Sequence, residues 1–295
     1  MTAQEENEAI ACAGADIAEA FLALDAADPG AYEAAVSRIS AASDQHDLWA
    51  FVAYLRAQHG LRTGKPLRAL AALNRTVQTR SIPGTTKGRD HPLILRARAE
   101  LLIASNRAHL VRELLRHGDH PTLVVPRARM LCLSGRPERA AHLIETMRGD
   151  GSMSERDQLD LLIINVSVAS RLGDPRGAAE LLTDVRELAT RIGVTEPLVA
   201  LPALDRVALG LDIATVVAYP DHIRVIELTR REEELLNILV LTDSRKQAAE
   251  RLFVSMNTVK TQIAGLYRKL DARTRAEALS SARALGLLPE TVSRI

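Results

Sequence analysis

The sequence of 295 residues predicts an all-α protein built from two helical domains. Apolar residues recur at helical spacing throughout the chain, and no strand-like alternation persists anywhere. Glycine followed two residues later by proline separates several of the helical segments. The final segment, residues 228–295, combines short helices with a positive charge that the rest of the chain lacks.

Residues 1–217 form the larger predicted domain. They are rich in Ala, Leu and Arg and contain few aromatic residues. Their apolar periodicity predicts helices near residues 4–26, 31–43, 46–62, 65–79, 91–105, 107–117, 121–134, 137–148, 154–172, 175–192 and 197–217. The segments 81–90 and 149–152 are expected to be loops because they are rich in glycine and polar residues.

A weak internal repeat runs through this domain. Three segments share a glycine, a proline two residues later, and then Ala and Leu at helical spacing: TGKPLRALAAL, SGRPERAAHLI and LGDPRGAAELL. SNRAHLVRELL, at 105–115, is a degenerate fourth copy. The repeat is marked by Gly64, Asn106, Gly135 and Gly173, which are 42, 29 and 38 residues apart, and by Pro66, Pro137 and Pro175. Glycine can end a helix in the left-handed conformation, and proline can begin the next helix because its missing amide is harmless there.

This spacing resembles that of tetratricopeptide-like repeats. The resemblance implies an N-terminal solenoid in which antiparallel helical hairpins stack on one another. The large–small signature of that family is incomplete here, and the spacing wanders around its usual period of about 34 residues. An irregular all-α bundle is the alternative.

The second predicted domain, residues 228–295, follows a linker at 218–227 that contains Pro220. Helical periodicity places its four helices near residues 230–241, 245–252, 256–270 and 274–286. Three of these helices begin with a capping-box pattern, in which a hydroxyl residue precedes Glu or Gln by three positions. The pairs are Thr229 with Glu232, Ser244 with Gln247, and Thr274 with Glu277.

The third helix of this domain has two contrasting faces. Its aliphatic face carries Val259, Ile263, Leu266 and Leu270. The opposite face carries side chains that are short, polar or basic: Asn257, Thr258, Lys260, Thr261, Ala264 and Arg268. Such side chains suit insertion into the major groove of DNA, although a solvated helix face has a similar composition.

The charge of the surrounding segment favours nucleic-acid binding. Residues 244–275 carry eight basic and two acidic side chains, a net charge of +6, whereas the whole chain has a net charge of +1. The remainder is therefore acidic, with a net charge of −5. A basic module on an otherwise acidic chain is typical of phosphate contact.

The same segment resembles the LuxR-type helix-turn-helix family of bacterial transcription regulators. The family pattern runs L-T-x-R-E-x-E, S-N-K-E-I-A-x-x-L, S-x-x-T-V-K-x-H, Y-x-K-L and R-x-E-A, and it is matched over roughly the last quarter of the chain. The matching residues are Leu228, Thr229, Arg231, Glu232, Glu234, Ser244, Lys246, Ala249, Leu252, Ser255, Thr258, Val259, Lys260, Tyr267, Lys269, Leu270, Arg275, Glu277 and Ala278.

This resemblance implies that the third helix lies in the major groove of an operator. Lys260 and Thr261 would reach base edges or adjacent phosphates, and Thr258 and Lys246 would hold phosphate. The last helix would join two copies into a homodimer on DNA. The expected DNA-binding residues are Lys246, Asn257, Thr258, Lys260, Thr261, Ala264 and Arg268.

Four positions depart from the family pattern or from helix propensity. Gln262 replaces the usual His, Arg245 replaces Asn, and Thr242 stands where Gly is usual before the second helix. Gly265 lies within the third helix, where it costs about 1 kcal/mol relative to Ala. It could permit a close approach to DNA or to the first helix, or it could be tolerated drift.

The remaining features predict no membrane, metal or cofactor function. No uncharged run is long enough to span a bilayer, and the acidic N-terminus is unlike a secretory signal. Cys12 and Cys132 are expected to be buried, reduced thiols in the cytoplasm; a redox-sensing pair is the alternative. The histidines have no ligand spacing, and residues 84–90 lack the order of a phosphate-binding loop.

An aromatic cluster formed by Trp49, Phe51 and Tyr54 is expected to be core, with a ligand cradle as the alternative. No paired carboxylates, nucleophile elbow or cofactor loop indicates an enzyme. The pattern of these residues also predicts neither the receiver domain of phosphorylated regulators nor the ATPase domain of large LuxR-type activators.

The sequence therefore predicts a DNA-binding transcription regulator. Its helical repeats would receive a protein, peptide or small-ligand signal and alter the geometry of a dimer on DNA. A helical-repeat scaffold with a degenerate DNA-binding domain, acting on a partner regulator, is the alternative.

Overall fold

The computed structural model describes residues 3–39, 48–80, 91–115, 119–149, 151–211, 218–223, 225–226, 228–285 and 287–288. Over these residues all regular structure is helical, which confirms the predicted all-α class. The chain divides into two compact units, Met1–Ile223 and Arg224–Ile295. Within the described part of the chain, no helix has the length and apolar character that crossing a membrane requires.

Eleven α-helices make up the described part of the first unit. They are α1 Ala3–Asp25, α2 Pro29–Arg38, α3 Trp49–Arg62, α4 Pro66–Arg80, α5 Pro92–Ala104, α6 Val111–Leu114, α7 Val124–Leu133, α8 Pro137–Thr146, α9 Glu155–Arg171, α10 Pro175–Ile192 and α11 Ala203–Ala208. Short 3₁₀ segments precede α6, α7 and α11, at Ala108–Leu110, Pro121–Leu123 and Pro197–Ala200.

The predicted glycine–proline turns are present. Gly64, Gly135 and Gly173 have φ values of 67°, 78° and 75°, and the proline two residues after each begins α4, α8 and α10. Asn106, in the degenerate copy, also has a positive φ of 59°. At each turn the next amide donates to a carbonyl five residues earlier, as from Asp174 to Ala169 at 2.9 Å. This hydrogen bond closes the C-terminus of one helix and directs the chain into the next.

A fifth turn of the same kind was not predicted from the sequence, because alanine occupies the position that glycine has in the others. Ala27 has a φ of 54°, and the amide of Asp28 donates to the carbonyl of Ala23 at 2.9 Å. Asp28 then caps α2 by accepting from the amide of Ala31, just as Asp174 caps α10 by accepting from Gly177. The Asp-Pro pair that both turns share was the available sequence signal.

The five turns produce hairpins that stack in chain order. The helices of each hairpin pack together, and the first helices of successive hairpins also meet, α1 on α3, α3 on α5, α5 on α7 and α7 on α9. This succession of neighbours is that of a helical solenoid rather than of an irregular bundle. Membership of the tetratricopeptide family stays a prediction.

One helix prediction in this unit was wrong. The single helix expected over 197–217 is a 3₁₀ segment, Pro197–Ala200, followed by α11, which ends before Gly210 at a φ of 65°. Pro202 causes the break, because the residue before a proline is driven out of the helical region, and Leu201 is extended, with a ψ of 134°. Residues 212–217 and the loop predicted at 81–90 lie outside the described residues.

The aromatic and cysteine expectations also need correction. Tyr54 is buried beside Phe21, but Phe51 is exposed and Trp49 is half-buried near His91, so the three aromatic residues share no core. Helical geometry separates Trp49 from the other two, because residues two or five apart on a helix do not share a face. Cys132 is buried, which raises its pKa to about 11, whereas Cys12 is exposed; both are free thiols.

Residues 218–223, the first half of the predicted linker, pack within the first unit. Ala218 and Tyr219 are buried, and the amide of Ile223 donates to the carbonyl of Leu133 at 3.0 Å. Arg171 donates to the carbonyl of Asp221 at 2.8 Å. The segment is therefore anchored to α7 and to α9.

The described residues of the second unit form four helices around one aliphatic core. They are α12 Arg230–Leu241, α13 Arg245–Leu252, α14 Met256–Lys269 and α15 Arg275–Ala284. The predicted aliphatic face of α14, Val259, Ile263 and Leu266 with Leu270 after it, is buried. Leu235, Leu236, Leu239, Ala248 and Ala249 of α12 and α13 are buried with it, and Leu252 is partly buried against them. The structure thus confirms the predicted aliphatic stripe.

Replacing Ala27 with glycine is expected to stabilise the first unit by about 0.5–1 kcal/mol. An L-residue in the left-handed region costs roughly 1–2 kcal/mol, and the greater flexibility of glycine in the unfolded chain offsets part of this gain. Urea denaturation of the whole chain, followed by Trp49 fluorescence, measures the change. Ala26→Gly is the matched control and should be neutral or destabilising, since Ala26 is not among the residues with positive φ. A loss of stability in Ala27→Gly would show that the turn carries no strain.

Candidate nucleic-acid interface

The helix-turn-helix arrangement consists of α13, a tight turn and α14. Phe253 ends α13 in the left-handed conformation, with a φ of 54°, and the amide of Val254 donates to the carbonyl of Ala249 at 3.1 Å. Ser255 then caps α14 by accepting a hydrogen bond from the amide of Thr258 at 3.1 Å. The turn is therefore fixed at both ends by hydrogen bonds.

The orientation of α14 follows from its buried stripe. Val259 and Leu266 have no exposed surface, and Ile263 is 6% exposed. These side chains pack in the core that α12, α13 and α15 share. Because they occupy one side of the helix, the opposite side must face away from the core.

All seven side chains predicted to bind DNA are exposed: Lys246, Asn257, Thr258, Lys260, Thr261, Ala264 and Arg268. Five of them, Asn257, Lys260, Thr261, Ala264 and Arg268, are three or four residues apart along one face of α14. Lys246 lies on α13, and Thr258 lies in the first turn of α14. We call the seven together the basic face. Their contact with DNA stays a prediction.

Two hydroxyl groups of the basic face already have partners. The hydroxyl groups of Thr258 and Ser255 lie 2.8 Å apart in a hydrogen bond, and the Thr261 hydroxyl donates to the carbonyl of Asn257 at 3.1 Å. A hydroxyl group retains acceptor capacity after donating. Across the described residues, no ion pair engages the cationic groups of Lys246, Lys260 or Arg268. These three are the charged groups best placed to meet phosphate.

Other residues of the matched pattern hold the fold together instead. Thr229 and Glu232 form the predicted capping box at the start of α12, and Lys269 donates to the same Glu232 carboxylate at 2.7 Å. Arg275 donates to the carbonyl of Leu239 at 2.7 Å, near the C-terminus of α12. The family pattern therefore contains both exposed residues and residues that stabilise the fold. Two of its basic residues, Lys269 and Arg275, stabilise the fold.

The other two predicted capping boxes are only half formed. The amide of Gln247 donates to Ser244, but the amide of Ser244 turns to the Thr242 hydroxyl at 3.1 Å. The amide of Glu277 donates to Thr274, but the Glu277 carboxylate accepts from the amide of Arg273. That hydrogen bond is the largest cause of the lowered pKa of Glu277.

Of the departures, the structure explains Thr242 locally. Thr242 is extended, at a φ of −148°, so its backbone does not require glycine, and its hydroxyl donates to Gln247 at 2.5 Å. A Cβ added at Gly265 would meet no atom within 4 Å, so close packing on α12 does not explain this glycine. Gln262 is half-buried and Arg245 is exposed.

Sequence reasoning missed part of the exposed surface around the turn. Phe253 is 95% exposed and Met256 is 49% exposed, and both line an open depression with Lys246. Arg245, which replaces the Asn of the family pattern, and Arg251, which contributed only to the charge count, are also exposed on α13. Neither residue matches the pattern, so the sequence gave no signal for a specific role.

Comparison with known proteins assigns the C-terminal segment to a family. Residues 227–293 match the model of bacterial regulatory proteins of the luxR family, GerE. The CsgBAC operon transcriptional regulatory protein of Escherichia coli K12 is 44% identical over 53 residues, which are 18% of this chain and 24% of that protein. The HTH-type transcriptional activator RamA of Corynebacterium glutamicum is 38% identical over 63 residues, 21% of this chain and 22% of that protein.

This chain is 38% identical over 66 residues to the HTH-type transcriptional regulator MalT of Vibrio cholerae, covering 22% of this chain and 7% of that protein. The chain thus covers a quarter or less of the length of these relatives. No solved structure matches the chain significantly. The family match, residues 227–293, lies within the second unit.

Replacing Glu232 with glutamine is expected to destabilise the second unit by about 0.5–1 kcal/mol at pH 7, because a partly exposed ion pair is lost. Partial burial opposes the charge of Glu232, but bonds from Lys269 and Thr229 outweigh it and hold its pKa below 4.5. A depressed pKa stabilises the fold above about pH 4.5, and this contribution is lost as the pH falls through the folded-state pKa. The difference in stability between the variant and the natural chain should therefore become smaller at acidic pH.

Urea titrations of the whole chain at pH 7 and below pH 4, read by hydrogen exchange of peptides from residues 228–285, measure this difference. The control is Glu234→Gln, which removes an exposed pair with Arg230 at 3.3 Å and should change stability less. An equal loss at both pH values in Glu232→Gln would contradict the assigned role of the carboxylate.

Proposed function

We propose that this chain is a transcription regulator that binds operator DNA through the basic face. The observation that carries the proposal is the exposure of all seven residues of that face, next to an aliphatic stripe that fixes α14 in the core. The match of residues 227–293 to the luxR family supports it.

The expected docking follows from the dimensions of a helix and of DNA. The major groove admits one α-helix, and short side chains let its backbone approach the bases. Asn257, Thr261 and Ala264 are such side chains. Lys260 would reach a base edge or an adjacent phosphate, and Lys246 and Thr258 would hold the backbone. Contact through α15 would join two copies on a symmetric operator.

The first unit would supply the regulatory input. A protein, peptide or small ligand that binds one arrangement of the stacked hairpins better than another would shift the population of DNA-binding states. We expect a cytoplasmic, non-enzymatic protein. The stacking of five hairpins supports this role, because such arrays present extended surfaces for binding.

Lys260→Ala is expected to weaken binding to a cognate operator by about 1–3 kcal/mol, the range for a good base contact. The operator would first be selected by the natural chain from a random duplex library, and fluorescence anisotropy would measure affinity. Arg230→Ala is the matched control, since it removes one positive charge from a side chain that is 93% exposed on α12. Equal losses of operator affinity in the two variants would show that Lys260 contributes only its positive charge and makes no specific base contact.

Lys246→Ala is expected to weaken binding to all duplexes alike and to lower the salt dependence. Each phosphate contact contributes about 0.9 to the slope of log affinity against log salt concentration, because counterions are released from DNA. Titrations of generic duplex across a range of NaCl concentrations measure this slope. An unchanged slope would exclude the phosphate contact, and a natural chain without salt-dependent binding would favour a scaffold that acts on a partner regulator.

A further inference from the structure

The first unit buries a cluster of charged groups that the proposed DNA contact does not use. Arg129 donates to the Glu100 carboxylate through Nε at 2.9 Å, and the hydroxyl group of Tyr219 donates to the same Oε2 atom at 2.6 Å. The guanidinium of Arg129 lies 4.0 Å over the ring of Tyr219. These side chains come from α5, from α7 and from the segment 218–223, and burial raises the pKa of Tyr219 well above its usual value.

Two atoms of this cluster have no hydrogen-bond partner among the described residues. They are Oε1 of Glu100 and Nε of Arg96, whose residues are 2% and 3% exposed. Buried charged groups normally complete their hydrogen bonds, so each exception needs an explanation. One unpaired atom is an acceptor and the other is a donor, so a partner for both must carry a donor and an acceptor.

A cavity of about 50 Å³ adjoins both residues. Gln58, Tyr219 and several aliphatic side chains line it, together with the charged residues Arg62, Arg96, Glu100, Arg129, Arg156, Asp160 and Glu196. A bound water needs roughly 10–15 Å³ of such volume. The cavity therefore has room for roughly four or five atoms other than hydrogen, the size of a very small metabolite.

The paired charges around this cavity, which are buried or half-buried, balance. Four arginines, Arg62, Arg96, Arg129 and Arg156, face four carboxylates, Asp25, Glu100, Asp157 and Asp160, with which they form ion pairs. Glu196, which also lines the cavity, is exposed and remains solvated. A ligand with net charge would leave an uncompensated charge in this buried setting, whereas a ligand of zero net charge would not.

We propose that this cavity binds a small zwitterion of the α-amino-acid type, with its ammonium group at Glu100 Oε1 and its carboxylate at the guanidinium of Arg96. The ligand would satisfy both unpaired atoms and preserve the charge balance. Glycine, with about five atoms other than hydrogen, has the size that the cavity accepts, and alanine is larger by one carbon. The binding site itself is independent of DNA and therefore goes beyond the proposed function.

The site is built partly from the segment that precedes the second unit. Tyr219 shares Glu100 with the proposed ligand, and the amide of Ala218 donates to the carbonyl of Val199, which also lines the cavity. Occupancy of the cavity would change the hydrogen bonding of Glu100 and hence the anchoring of residues 218–223. This consequence rests on the proposed function, because it makes the ligand an input to a regulator.

Calorimetric titration of the full chain with glycine and with alanine tests the site. Acetate and ethylammonium serve as control probes, since each carries one half of the zwitterion. We expect at least one zwitterion to bind and both halves to bind at least about tenfold more weakly, because each leaves either Glu100 Oε1 or Arg96 Nε without a hydrogen-bond partner.

Glu100→Gln is expected to reduce zwitterion affinity by about tenfold or more, but it also removes the charged partner of Arg129. Ala200→Leu is the second variant: Ala200 lines the cavity, and the larger side chain would fill it without removing a charge. Ala208→Leu, at an exposed position on α11 away from the cavity, is its matched control and should bind as the natural chain does.

Three results would overturn the site: no binding of either zwitterion, equal binding of acetate or ethylammonium, or unchanged affinity in Ala200→Leu. A crystal structure of the full chain grown with glycine that shows ordered water alone in the cavity would overturn it as well. Duplex DNA titrations on the same preparation separate the two proposals. A chain that binds DNA but neither zwitterion refutes this site and leaves the DNA-binding function in place.

Discussion

The burial of one aliphatic stripe on α14 is the constraint on which the second unit depends. Val259, Ile263 and Leu266 are buried against the other three helices, so rotation of α14 about its axis would expose apolar surface. Burying one such side chain is worth about 1.5–3 kcal/mol, more than most single surface contacts. Packing therefore places the basic face outward, and the residues of this face do not have to contribute to the core.

Turns that contain a residue in the left-handed conformation connect many of the helices. The same six-residue hydrogen-bonded closure ends α1 at Ala27, α9 at Gly173 and α13 at Phe253, so the stacked hairpins and the helix-turn-helix use one local device. Non-glycine residues are strained there, and their presence at Ala27 and Phe253 shows that helix packing on both sides outweighs the local cost. At Phe253 the turn also leaves an aromatic ring in solvent beside Lys246.

Local patterns were sufficient to predict most helices and the composition of the basic face. Gly64, Gly135 and Gly173 were recognisable because only glycine adopts this conformation without strain, whereas Ala27 was not. The break at Pro202 was overlooked although proline carries the signal. The buried cluster of Arg96, Glu100 and Arg129 could not be predicted, because it joins residues from separate hairpins that only the tertiary fold brings together. Likewise, Glu232 and Lys269 are 37 residues apart, and their ion pair follows from the packing of α14 on α12.

The reactivity of lysine amines in the full chain, with and without duplex DNA at low salt, tests the central claim most directly. Acetylation quantified by mass spectrometry reports each lysine separately. A DNA-bound basic face predicts protection of Lys246 and Lys260, while Lys65, exposed in a turn of the first unit, and Lys269, already paired with Glu232, keep their reactivity. Unchanged reactivity of Lys246 and Lys260 at a DNA concentration that saturates binding would contradict the claim that this face meets DNA.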